Sequence, residues 1–140
     1  MKFLKASIFY PKIYNEATKN KIIENRKKYN DYLLKIKDIY DYNLISLYMQ
    51  TEEFHDYRIT KLDFIHENFG NKVSLWINCN NKKYSLMFEG VKIFKITEEF
   101  SDADDITLCE IGVLKKLYYI CFHFANGCEM QINFKNISIF

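Results

Sequence analysis

The sequence predicts an α+β fold: an N-terminal helix packed on an antiparallel β meander of six to eight strands, organised as two similar β units. Three observations carry this. Ile22, Tyr29, Leu33, Ile36 and Tyr40 recur at spacings of seven, four, three and four, which is one stripe of a helix. From Tyr57 onward the period changes to two, the alternation of strands. And KYSLMFEGVKIF (83–94) is echoed by EMQINFKNISIF (129–140), with Phe, Val/Ile, Ile and Phe matching 46 residues apart. A chain of 140 residues has the size of one domain, with 1–50 mainly helical and 57–140 an antiparallel sheet.

The elements follow in order. Pro11 cannot lie inside the helix, Asn15 is a fit N-cap, and Glu16 is well placed for the helix dipole. Lys19, Lys21, Lys27, Lys28, Lys35 and Lys37 occupy the other sides and read as a solvated face. DYNLISLYMQ (41–50) predicts a short second helix or turn. Val73, Leu75 and Ile77 then alternate with polar or large neighbours, as do Tyr84, Leu86 and Phe88. A two-residue loop at Asn80-Asn81 pairs Ile77 with Tyr84, Leu75 with Leu86 and Val73 with Phe88, because Asn tolerates the positive φ of such turns.

The last hairpin needs a different loop. A two-residue Asn126-Gly127 turn would set the apolar face of 117–124 against the polar face of 128–135. A three-residue loop, Ala125-Asn126-Gly127 with Gly127 left-handed, puts Phe124 opposite Cys128, Phe122 opposite Met130 and Ile120 opposite Ile132. Each hairpin is preceded by a further candidate strand, 57–65 or 107–114, and the acidic stretch TEEFSDADD separates the two units.

Composition narrows the functional classes. The chain is 49% hydrophobic and 17% aromatic, enough for one sizeable core, and its net charge of +2 is too small to argue by itself for a nucleic-acid partner, which is not expected. Charge is uneven: residues 1–50 carry ten Lys/Arg and five Asp/Glu (+5), and residues 51–140 carry ten and thirteen (−3). No signal-peptide pattern and no membrane-length apolar run occurs, so a cytoplasmic location without membrane attachment is expected. Abundant Lys, Asn, Ile and Tyr with one Pro is the composition of an AT-rich bacterial genome. Cys79, Cys109, Cys121 and Cys128 form no C-x-x-C pair and read as small apolar residues in a reducing compartment.

The chain's one His-Asp pair, His55-Asp56, raises the question of catalysis. A metal-dependent HD phosphohydrolase gathers several His and Asp residues in a helical domain, and this chain has three histidines, with the pair at the mouth of a β region. The structural reading, in which Asp56 bonds nearby backbone as the chain turns into a strand, is preferred over a catalytic His55/Asp56 centre. SDADD lacks the Gly and Glu of a calcium loop. Cys121, His123 and Glu129 share a strand face, but three ligands are short of a zinc site, so a cross-strand His–Glu pair is expected instead. No phosphate loop or nucleophile elbow is present, and neither a cofactor nor a metal is expected.

FHDYRI, the two hairpins, LCEIGVL and the closing INFKNISIF resemble an uncharacterised bacterial domain-of-unknown-function family over roughly residues 29–140. Members open with a helical stretch, enter a β meander through hydrophobic-His-Asp-x-x-Ile and end in a strand of this type; Gly112 and Cys109 depart from that pattern. The resemblance implies an immunity-like role: a non-catalytic interaction protein that neutralises a toxin by occlusion. Glu98, Glu99, Asp102, Asp104 and Asp105 are then the expected partner-binding surface, because basic nuclease clefts would be attracted to them. Two alternatives are a small hydrolase centred on His55 and Asp56, and a homodimerising module that uses Trp76 and Tyr119 on the outer sheet face.

Overall fold

The computed structural model describes residues 1–97 and 104–140. It contains helices α1 (Ala6–Phe9), α2 (Glu16–Ile36) and α3 (Tyr42–Gln50). Eight strands follow: β1 (Arg58–Glu67), β2 (Gly70–Cys79), β3 (Lys82–Val91), β4 (Ile93–Ile96), β5 (Ile106–Leu114), β6 (Leu117–Phe124), β7 (Glu129–Phe134) and β8 (Asn136–Ile139). All pairings are antiparallel. The fold class is the α+β meander that the sequence predicts.

The strands form two four-stranded sheets, β1-β2-β3-β8 and β4-β7-β6-β5, called here the first and second sheet. Their orders correspond strand for strand, since β1, β2, β3 and β8 in one match β5, β6, β7 and β4 in the other. Each unit therefore builds three strands of its own sheet and lends its fourth to the other. The sequence echo falls on β3–β4 and β7–β8, the two segments that cross between sheets and pair with each other. Gly90, at φ +61°, is the extra residue between the pairs Asn71–Val91 and Lys72–Glu89. A Cβ there would lie 3.0 Å from the Lys135 side chain, at the corner where both segments turn.

Both hairpins adopt the predicted registers. Ile77 pairs Tyr84 and Val73 pairs Phe88 around Asn80, which has φ +54°. Phe122 pairs Met130 and Ile120 pairs Ile132 around Gly127, at φ +88°. Helix α2 begins at Asn15 in a capping box with Thr18, and α3 is capped by Asp41. The four-residue α1 was not read from sequence; it is too short to show a period.

One departure concerns the layers. A single sheet covered on one face by a helix was expected. Instead the apolar faces of the two sheets meet, with Phe88 and Phe134 rings 4.8 Å apart. The helices take up the flank: α2 packs at β5 and α3 at β8. Their tyrosines cap the open edge of β5. Tyr48 Oη donates to Cys109 O at 2.6 Å, and Tyr29 Oη accepts from Ile111 N at 2.9 Å. Tyr32 Oη accepts from Val113 N at 2.8 Å. These hydroxyls, with Tyr10 at Thr107 O and the backbone of Asp56 and Tyr57 at Ile106, take the place of a neighbouring strand along this edge. One core cluster joins Leu4, α2, α3 and both sheets.

Candidate functional site

His55 and Asp56 sit on the turn between α3 and β1. Glu52, Glu53, Phe54 and Asp56 all have positive φ, between 50° and 64°. Each left-handed non-glycine residue costs on the order of 1 kcal/mol, so something must hold the run in place. Phe54 is fully buried, against Tyr48, Tyr57 and Phe122. Thr51 Oγ1 donates to Leu47 O and accepts from Phe54 N, and Arg26 bonds the Glu53 carboxylate at 2.8 Å. The backbone N–H of Asp56 donates to Ile106 O, and Ile106 N donates to Tyr57 O, so the turn ties the two units together.

The side chains of the pair point outward. His55 Nδ1 lies 3.0 Å from Asp56 Oδ1, with the side chains 53% and 71% exposed. The expected bond from the Asp56 carboxylate to nearby backbone is not the one observed; its partner is His55. Open clefts flank the turn. One of 570 Å³ is lined by Arg26, Glu53, His55 and Thr107, and one of 370 Å³ by His55, Asp56, Cys79 and Lys82. The Arg26 and Glu53 side chains are 35% and 26% exposed, while those of the His-Asp pair stand largely in solvent.

Of the acidic stretch, Glu98, Glu99 and Asp102 lie outside the described residues. Asp104 is half-buried, and Asp105 forms an ion pair with Arg58, so part of the expected negative charge is neutralised. His123 faces Glu129 across the strands as predicted, while its Nδ1 lies 2.7 Å from Thr107 Oγ1 and its ring stacks on Tyr10. Burial lowers its pKa, partly offset by Glu129. Among the described residues no cluster of three His, Cys, Asp or Glu is placed to hold a metal. The four cysteines carry no disulfide, and burial pushes the Cys121 thiol up to about 12.

The most tightly organised polar group in the molecule is one the sequence offered only as part of a resemblance. Glu110, fully buried on the outer face of β5, accepts N–H bonds from Lys2, Phe3 and Leu4 at 2.8 Å each. Tyr119 Oη donates to it at 2.9 Å. Burial, and then the Glu110 charge, push the Tyr119 phenol far up. Gly112 makes the contact feasible, since a Cβ there would lie 2.5 Å from the Tyr119 ring. A carboxylate amid apolar neighbours in LCEIGVL was the available signal, but its three backbone donors lie more than 100 residues away. Residues 2–4 thus cover the β5–β6 part of the outer face of the second sheet. Tyr119, at 8% exposure, is not the surface residue a homodimer through Trp76 and Tyr119 requires.

The first sheet is different. Register places three rows on its outer face: Lys61–Trp76–Ser85–Phe140, Asp63–Ser74–Met87–Ser138 and Ile65–Lys72–Glu89–Asn136. Trp76 and Met87 are partly exposed, Ile65 is 38% exposed and Phe140 73%. Lys61 lays its ammonium 4.4 Å from the Trp76 ring centroid and 3.0 Å from Asp63. Lys72 bridges Glu67 and Glu89. Trp76, Met87 and Phe140, around a buried Ser74 and beside charged side chains on β1, β2 and β3, make a surface suited to protein contact.

Among the described residues no helix is long and apolar enough to cross a membrane. No family model matches the chain and no curated protein matches it, so the resemblance described above rests on the residues quoted for it.

Proposed function

We propose that the chain is a non-catalytic protein-binding domain of the immunity type, which neutralises a toxin by covering it. The outer face of the first sheet is the covering surface. One observation carries the reading: of two sheets with matching strand order, one has the β5–β6 part of its outer face covered by the chain's own residues 2–4, while the other leaves Trp76, Met87 and Phe140 facing out. Aromatic and Met side chains at the centre of a charged border are the residue types that dominate binding energy in protein interfaces. The immunity-type form of the reading is supported by the resemblance alone. A hydrolytic centre at His55 and Asp56 has less support, because both side chains are more than half exposed and satisfy each other.

The test is binding to the product of the adjacent gene, measured by calorimetry. Trp76→Ala combined with Met87→Ala weakens the complex at least about tenfold, with an unchanged circular dichroism spectrum. Wild-type affinity in the double variant overturns the placement. A wild-type chain that is dimeric on its own, and becomes monomeric in the variant, replaces toxin binding with self-association.

A further inference from the structure

We propose that two copies of this chain join edge to edge through β1, antiparallel and in one register, with the Phe64 of each copy at the two-fold axis. The pairing does not depend on what binds the outer face of the first sheet.

The argument starts from two matching edges. β1 and β5 hold corresponding places in their sheets, and Asp63 and Glu110 each lie four residues before the pair that closes their hairpin. The edge of β5 is covered by tyrosine hydroxyls and by the backbone of residues 56 and 57. The edge of β1 has cover only at its start, where Arg58 meets Asp105. Native edge strands are protected by being short, by proline, by a bulge or by a covering element. β1 has ten residues and no proline, and its bulge, at Thr60, precedes the open stretch 61–67.

The hairpins show which backbone groups face outward. Both hairpins of the first sheet have two-residue loops, so Glu67 and Gly70 turn their N–H and C=O groups toward each other, as do Cys79 and Lys82. Counting back by twos, Lys61, Asp63 and Ile65 bond β2. Leu62, Phe64 and His66 direct three N–H and three C=O groups away from the sheet. Among the described residues no hydrogen bond from another element reaches these six groups.

A second β1 satisfies all six within the straight stretch in one register. Phe64 faces the partner's Phe64, and Leu62 faces the partner's His66. That register sets Lys61 against the partner's Glu67 twice, an opposite-charge pair on each side of the axis. One step either way opposes Asp63 to the partner's Asp63 or to the partner's Glu67, and like charges directly opposite are unfavourable. Two steps either way run into the bulge at Thr60 or the turn at 68–69. Phe64, 48% exposed although it stacks on Phe94 at 5.8 Å, gains cover from its own copy at the axis. Because the two-fold axis uses the same edge of both copies, assembly stops at two.

Sedimentation equilibrium over micromolar concentrations tests this. The wild-type chain is expected to dimerise reversibly. Lys61→Glu and Glu67→Lys each turn two attractions into two repulsions and weaken association at least about tenfold, with unchanged circular dichroism. Mixing these two single variants restores association, because every opposed site in the mixed pair again carries opposite charges. Trp76→Ala combined with Met87→Ala, on the neighbouring strands, leaves the dimer intact. A monomeric wild type overturns the proposal, as does a dimer indifferent to both single reversals, a mixture that fails to associate, or assembly beyond two copies. Loss of the dimer in the Trp76 and Met87 double variant also overturns it, by moving the contact to the outer face. Binding of the adjacent gene's product is read separately, so either reading can fail while the other stands.

Discussion

Glu110 and Asp63 occupy matching places in two matching sheets, yet one is sealed inside the molecule and the other meets solvent. Strand order and hairpin position do not decide this; what each face is covered by does. Three amides and a phenol repay the desolvation of Glu110, and Gly112 gives the phenol room. Asp63 has only a neighbouring lysine and keeps part of its hydration. The same architecture thus produces a structural face and a face available for contact.

The largest expected effect breaks the sealed side. Glu110→Ala strips the acceptor from three N–H groups and a hydroxyl, and destabilises by about 4 kcal/mol in urea denaturation. Asp63→Ala, the matching change, stays within about 0.5 kcal/mol. Equal costs would remove the contrast on which the account is built. Next comes Gly112→Ala, which drives a methyl into the Tyr119 ring and costs about 2 kcal/mol, whereas Ile65→Ala, two residues beyond Asp63, costs far less.

The turns sharpen the comparison further. Gly127 is left-handed with open space around its Cα, so Gly127→Ala costs about 1 kcal/mol through backbone strain alone. Asn80→Gly in the other hairpin changes stability by only a few tenths of a kcal/mol, roughly, because Asn already tolerates that conformation. The smallest effect is electrostatic. Burial lowers the His123 pKa, so below about pH 6.5 the unfolded chain takes up a proton that the folded chain resists. Stability therefore falls as pH drops through that region, and His123→Gln flattens this part of the profile measured by thermal melting.

These contrasts also separate what was legible in the sequence. Hairpin registers were readable because a slip by one residue would have turned Phe122 or Leu75 to the wrong face, and Gly127 marked where the extra loop residue had to go. The start of α2 was readable because Asn15 caps it locally, whereas Tyr40, counted in the helical stripe, lies past the end of the helix at Ile36. The Glu110 site was not, because three of its four donors come from the other end of the chain and no local pattern encodes them. The left-handed run at 52–56 was hidden for a related reason: it depends on Phe54 reaching a core built by later strands. The echo of 83–94 in 129–140 announced two units, but not that their last strands are exchanged, since β4 is bound to β7 and β8 to β3 by pairings between units.

The account's central claim is that residues 2–4 cover the β5–β6 part of one sheet face through Glu110, while the matching place on the other sheet stays open. Native-state hydrogen exchange of the Lys2, Phe3 and Leu4 amides tests it directly. The account predicts strong protection of all three in the wild-type chain, loss of that protection in Glu110→Gln, and no change in Asp63→Asn. Exchange of these amides at free-peptide rates in the wild type would contradict it.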